Sequence, residues 1–185
     1  MTDALVSNDG SVDMEALIAT LIIWIGSNTS YDVSNIPHPD VRLVSSEALT
    51  EEYYSGTDVP RPESGIDKRI YALYNNVDAE NGIIFLLDPR LNDELNTDLH
   101  NTEKSLPDLS EPLHQEWLEH PIFQEQLLHE LIHHVQYQTG VADKLPCPAR
   151  AELEAYLLGG KYLQLRHTTD PLPNRKVLAY IYSRC

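Results

Sequence analysis

The sequence predicts a single α+β domain spanning residues 1–185, with a small, mostly antiparallel sheet followed by a helical second half. Three observations predict it. Two β-favouring runs, Arg69 to Tyr74 and Ile83 to Asp88, flank a polar stretch containing Asn81-Gly82, a strong turn pair, and so read as an antiparallel hairpin. Beyond Pro121 the apolar residues recur at helical spacing. The 185 residues suffice for one ordinary core, and neither an internal repeat nor a convincing linker divides them.

Taken in order, Ser11 to Ile25 reads as a helix. Ser11 is the expected N-cap, Asp13 and Glu15 suit the first turn, and Leu17, Ile18, Leu21, Ile22 and Ile25 form an apolar stripe. Gly26-Ser27-Asn28 is expected to end it. A loop with Pro37 and Pro39 leads to a short strand at Val41 to Val44, then to a short helix from Ser46 to Tyr54, capped by Ser46 and stopped by Gly56. Thr57 to Gly65 is turn-rich. After the hairpin, Leu91 to Pro112 is polar and aperiodic, which suits a long surface loop or lid. Leu113 to Glu119 is a short helix. Pro121 opens a helix to about Gln138, closed by Gly140. Pro148 opens another, to about Arg166, and a last helix runs from about Asn174 to Tyr182.

Composition narrows the function. A hydrophobic content of 42% and a charged content of 23% are those of a soluble globular chain. The net charge of -16 argues against nucleic acid and anionic membrane surfaces as partners. The apolar run from Leu17 to Ile25 is about half of a membrane span. The acidic N-terminus lacks the basic region of a signal peptide, which tilts the expectation toward the cytoplasm. Cys147 and Cys185 are too few for a disulfide framework or a four-thiolate zinc site. They can pair in an oxidising compartment, but the pattern does not require it.

The strongest chemical signal is His129-Glu130-Leu131-Ile132-His133, an HExxH pattern. On a helix, residues four apart share a face, so two imidazoles can grip one ion while the glutamate between them stands beside it. Glu130 can then take a proton from water activated at the metal and pass it to a leaving group. With His129 at zero and about 100° per residue, His133 falls near 40°, Gln126 near 60°, Tyr137 near 80° and Glu130 near 100°. Leu127, Leu128, Leu131, Ile132 and Val135 gather on the far side, at roughly 160° to 300°. One face is packing and the other is a polar cluster. His134, near 140°, falls at the rim.

Two histidines require a third protein ligand and an open position. The next helix offers Glu152 and Glu154. Glu152 shares its face with Ala149, Tyr156, Gly159 and Leu163, a mostly small and apolar surface on which an acid is costly unless paired or metal-bound. Glu154 lies nearly opposite, beside Lys161 and one turn from Arg150, as a solvated salt-bridging residue would. Glu152 is the preferred ligand and Glu154 the fallback.

HExxH, eighteen residues, then Glu152 resembles the gluzincin metallopeptidases, in which a glutamate on the following helix completes a zinc site. Glu152-Leu153-Glu154-Ala155-Tyr156 is similar to the E-x-x-A-(D/N) stretch of their ligand helix, and this alignment again selects Glu152. Thermolysin-like members carry a supporting aspartate where this chain has Tyr156, so either the phenol supports a metal histidine here or another group does. His134-Val135-Gln136, following the motif, also resembles the HExxHxxQ stretch of uncharacterised bacterial metallopeptidase-like families. The similarity covers about Pro121 to Leu165, a quarter of the chain. It implies a zincin-like fold, a Zn2+ cofactor and a protein or peptide substrate, with an edge strand beside the metal helix pairing with that substrate. Chain order makes that strand Gly82 to Leu87.

The expected activity is zinc-dependent peptide-bond hydrolysis with His129, His133 and Glu152 as ligands and Glu130 as general base. Tyr137 is a candidate oxyanion donor and Tyr156 a candidate support for the ligands. The competing expectation is a zincin fold that binds zinc and serves as a binding or regulatory module, for which Glu130 would be unnecessary. Oligomeric state is left open by the sequence.

Overall fold

The computed structural model describes residues 13–55, 58–77, 80–91 and 113–185. Among these residues the fold is α+β, with six α-helices and one three-stranded sheet: α1 (Met14–Asn28), β1 (Asp40–Val44), α2 (Ser46–Tyr54), β2 (Ala72–Asn75), β3 (Ile83–Leu87), α3 (Gln115–Leu118), α4 (Pro121–Gln138), α5 (Ala151–Leu165) and α6 (Arg175–Tyr182). No described helix is long and apolar enough to cross a membrane. The expected Ser11 cap, the Gly56 stop and nearly all of the Leu91 to Pro112 loop lie outside the described residues.

The helix boundaries follow local chemistry. Asp13 caps α1 by accepting from the Ala16 amide at 2.6 Å. The helix also runs past Gly26 to Asn28, and Val33 packs where a side chain at Gly26 would stand. Ser45, one residue before the expected cap, accepts from the Ala48 amide and starts α2. The longest helix, α4, begins on Pro121 as expected. It closes in a Schellman turn: Gly140, at φ +66°, donates to Tyr137 and Val141 donates to Gln136. Pro148–Arg150 form a 3-10 turn that feeds α5.

The sheet order is β1-β3-β2, with β2 antiparallel and β1 parallel to β3. The sheet is therefore mixed rather than mostly antiparallel. The hairpin forms as expected, with Tyr74 opposite Ile84, but Gly82 to Leu87 is not an edge. The carbonyl of Gly82 accepts from Asp40, and β1 then covers that side of β3. Composition explains the order. Ile83–Leu87 is a continuous apolar run with four of five residues buried, as a central strand requires. By contrast, β1 carries the Asp40–Arg42 ion pair, the kind of charge that protects an edge. The other edge, facing α4, is β2.

The main core lies between α1, the sheet and α4. Leu17, Ile18, Leu21, Ile22 and Ile25 meet Ile84, Leu86, Leu127, Leu128, Leu131, Ile132 and Val135, with Ala155 and Tyr162 from α5. Burying each large aliphatic side chain is worth about 1.5–3 kcal/mol. This anchors one face of α4 and leaves its histidine face toward α5.

The C-terminal helix α6 is held by a buried ionic cluster. Arg175 donates to Glu125 on α4 at 2.6 Å and to both carboxylate oxygens of Asp170. Two consecutive glycines in α5 make room for it. A β-carbon on Gly159 would stand 2.2 Å from Glu125 Oε1, and one on Gly160 would stand 2.9 Å from Arg175 Cδ. The small surface read from the sequence as a helix-packing face is thus also the bed of an ion pair. Cys147 and Cys185, whose pairing the sequence left open, form a disulfide that ties the chain's last residue to the loop before α5.

Candidate metal centre

His129 and His133 are one helical turn apart on α4, and Glu152 sits in the first turn of α5. The helix pair brings the three together. His129 Nε2 lies 3.2 Å from Glu152 Oε2, His133 Nε2 lies 3.3 Å from Glu152 Oε1, and the two Nε2 atoms are 3.2 Å apart. Tetrahedral zinc with bonds of about 2.0–2.1 Å separates its ligand atoms by about 3.3 Å. Two imidazole nitrogens facing each other at this range can share at most one proton between them, whereas a cation satisfies both lone pairs together. The donor set and its spacing fit zinc.

The electrostatics lean the same way. Burial opposes ionisation of Glu152, but hydrogen bonds from both imidazoles outweigh it and hold the carboxyl well below the usual range. Burial likewise opposes charge on His133, yet Glu152 and Glu130 push it up to about 9. The cluster favours positive charge at its centre. The side chains of His129 and His133 remain 16% and 15% exposed and that of Glu152 33%, so an ion and a ligand can enter from solvent.

Glu130 faces the same cluster but is buried. Burial raises its carboxyl pKa, and the charge of Glu152 adds to the rise. His129, His133 and the Tyr74 amide act in the opposite direction. That amide belongs to the edge strand. Because Leu87 donates to the Tyr71 carbonyl, alternation along β2 turns the backbone groups of Ala72 and Tyr74 toward the side on which no strand pairs among the described residues. The general-base candidate therefore stands between the cluster of His129, His133 and Glu152 and the outer side of β2.

The remaining sequence candidates are placed differently from one another. Tyr156 meets His129 ring to ring, with centroids 4.9 Å apart, and its other side stacks on Tyr182 of α6. Tyr137 packs edge-on against Tyr74 and remains 43% exposed. His134 is no rim residue. It is fully buried, hydrogen-bonded at Nε2 to the Pro37 carbonyl and at Nδ1 to the Tyr74 hydroxyl. That double bond to strand and loop explains why an imidazole points inward from this position.

Glu154 is not the solvated salt-bridging residue that its helical position suggested. Its Oε2 accepts from Gln136 Nε2 at 2.9 Å and from the Tyr31 hydroxyl. Gln136 in turn places Oε1 3.2 Å from His133 Nδ1. Sequence reasoning passed over Gln136 as part of a motif. The available signal was its position three residues after His133, which puts the two side chains side by side on α4. Tyr31 lies far away in sequence and left no local signal.

No protein-family model, curated protein or solved structure matches this chain.

Proposed function

We propose that this chain is a zinc-dependent peptidase of the gluzincin type, with His129, His133 and Glu152 as ligands and Glu130 as general base. The observation that carries the reading is the convergence of three potential ligand atoms, at the spacing a tetrahedral zinc would impose, beside a buried carboxyl and next to a strand that is at the sheet's edge among the described residues. Zinc at that point supplies a Lewis acid that polarises a carbonyl and acidifies water.

The chain's own groups supply the rest. Among the described residues no strand pairs with the outer side of β2, and there the Ala72 N–H and C=O and the Tyr74 carbonyl offer an extended peptide a strand to pair with, while the Tyr74 amide stays on Glu130; β2 thus takes over the role that chain order had assigned to Gly82 to Leu87. A peptide so paired lies alongside Glu130. The raised pKa of Glu130 brings it nearer the range in which a carboxylate both accepts and returns a proton at neutral pH. Burial of the side chain keeps competing water from it.

The test is cleavage of a quenched-fluorescent peptide library by the zinc-loaded protein and by Glu130→Gln. The expected result is cleavage by the wild type and a loss of at least about 100-fold in the variant, with zinc retained. A zinc-loaded wild type that cleaves nothing, or a variant that cleaves equally well, overturns the peptidase reading in favour of a zinc-binding module.

A further inference from the structure

The imidazole of His133 must present Nε2 as a lone pair to act as a ligand, and that requires its proton on Nδ1. A neutral imidazole can carry its proton on either nitrogen, so something must select. The contact at His133 Nδ1 is Gln136 Oε1 at 3.2 Å. An amide has an accepting end and a donating end, and by itself Gln136 could turn either toward the ring. Its far end meets two groups that only accept, the Glu154 carboxylate and, at a longer 3.4 Å, the Ala151 carbonyl. Gln136 Nε2 donates to Glu154 Oε2 at 2.9 Å, which leaves Oε1 for the ring.

Gln136 is 2% exposed, so water does not readily replace either bond. Glu154 is held from its other side by the Tyr31 hydroxyl, contributed by the loop after α1. Four groups from three parts of the chain therefore form one directed series, in which each donor and acceptor role follows from the one before.

We propose that Glu154 and Gln136 are positioning residues that set the tautomer and ring angle of His133, so that the acceptor-only character of a carboxylate is relayed through an amide to the metal ligand. The inference rests on the zinc reading above. It assigns the support of the site to α4, α5 and Tyr31, rather than to the phenol of Tyr156, which meets His129 only by its ring.

The experiment compares zinc affinity, by competition with a chromophoric chelator, in wild type, Gln136→Leu, Glu154→Leu and the exchange double variant Gln136→Glu/Glu154→Gln. In the exchange the carboxylate accepts directly from His133 Nδ1, and the new amide donates to it from position 154. Both leucine variants are expected to lose about 10–100-fold in affinity, and the exchange to recover to within a few-fold of wild type. The His133 Nδ1 proton, followed by NMR in the zinc-loaded proteins, is expected to be sharp in wild type and the exchange variant and broadened by solvent exchange in Gln136→Leu. Folding of each variant is checked by its thermal midpoint. Leucine variants that bind zinc as tightly as wild type, or an exchange variant as weak as the leucine variants, overturn the relay. A wild type that binds no zinc overturns the metal reading, and the relay with it.

Discussion

Arg175 Nη1 and Glu125 Oε1 meet at 2.6 Å in the space left by the missing side chain of Gly159, with each partner's side chain at most 7% exposed. This pair anchors α6, and α6 carries Tyr182, which stacks on Tyr156, which in turn packs on His129. The bond is therefore a structural support for the aromatic wall of the proposed metal site. Removing one partner strands a buried charge. Arg175→Met is expected to cost about 3–5 kcal/mol in denaturant unfolding. Gly159→Ala is expected to destabilise as well, because its methyl group would overlap the carboxylate. Unchanged midpoints in both variants would contradict this account of how α6 is held.

The Cys147–Cys185 disulfide closes a loop with a sequence separation of 38. Loop-closure entropy assigns such a crosslink about 4 kcal/mol. Reduction, or Cys185→Ser, should lower the thermal midpoint by several degrees. Such bonds persist under oxidising conditions, so protein made in a reducing cytosol should show the lower midpoint until it is oxidised. Equal midpoints with and without reductant would show that the crosslink adds no stability.

Asp67 gives the fold a defined acid sensitivity. Hydrogen bonds from Arg69 hold its carboxyl far below the usual range against the opposing effect of burial, and Tyr54 donates to it as well. A carboxyl with a depressed folded pKa stabilises the protein fully above its unfolded pKa of about 4, and that contribution is lost as pH falls below it. Wild-type stability should therefore drop below about pH 4, and Asp67→Asn should flatten that limb while lowering stability at neutral pH. A variant with an unchanged acid limb would assign the sensitivity to other carboxyls.

Tyr156 separates two ways of supporting a ligand. Its contact with His129 is ring against ring, so Tyr156→Phe should bind zinc within about twofold of wild type, whereas Tyr156→Ala should weaken it. Isothermal titration with zinc measures both. A large loss in the phenylalanine variant would show that the hydroxyl acts.

The readable parts of the sequence were those governed by short-range rules. The 3.6-residue period of Leu127, Leu128, Leu131, Ile132 and Val135 placed the core face of α4, and His129 and His133 followed on the other side. The Asn81-Gly82 turn placed the hairpin. What escaped depends on partners distant in the chain. The parallel pairing of β1 with β3 is a tertiary choice, and it alone decides which strand is the edge. Glu154 looked solvated on a helical wheel because the wheel contains neither Tyr31 nor Gln136. Arg175 and Glu125 lie on different helices, and the only local trace of their meeting was Gly159-Gly160 in mid-helix, where two glycines cost roughly 1 kcal/mol each unless something needs the room.

The most direct measurement is metal content by mass spectrometry of protein purified without chelator, in wild type, Glu130→Gln, Glu152→Ala and Glu154→Ala. One zinc per chain is expected in wild type and in Glu130→Gln. Glu152→Ala should lose it. Glu154→Ala should keep it at saturating zinc and bind it more weakly. A correctly folded wild type that takes up no zinc, even when zinc is supplied, would contradict the account.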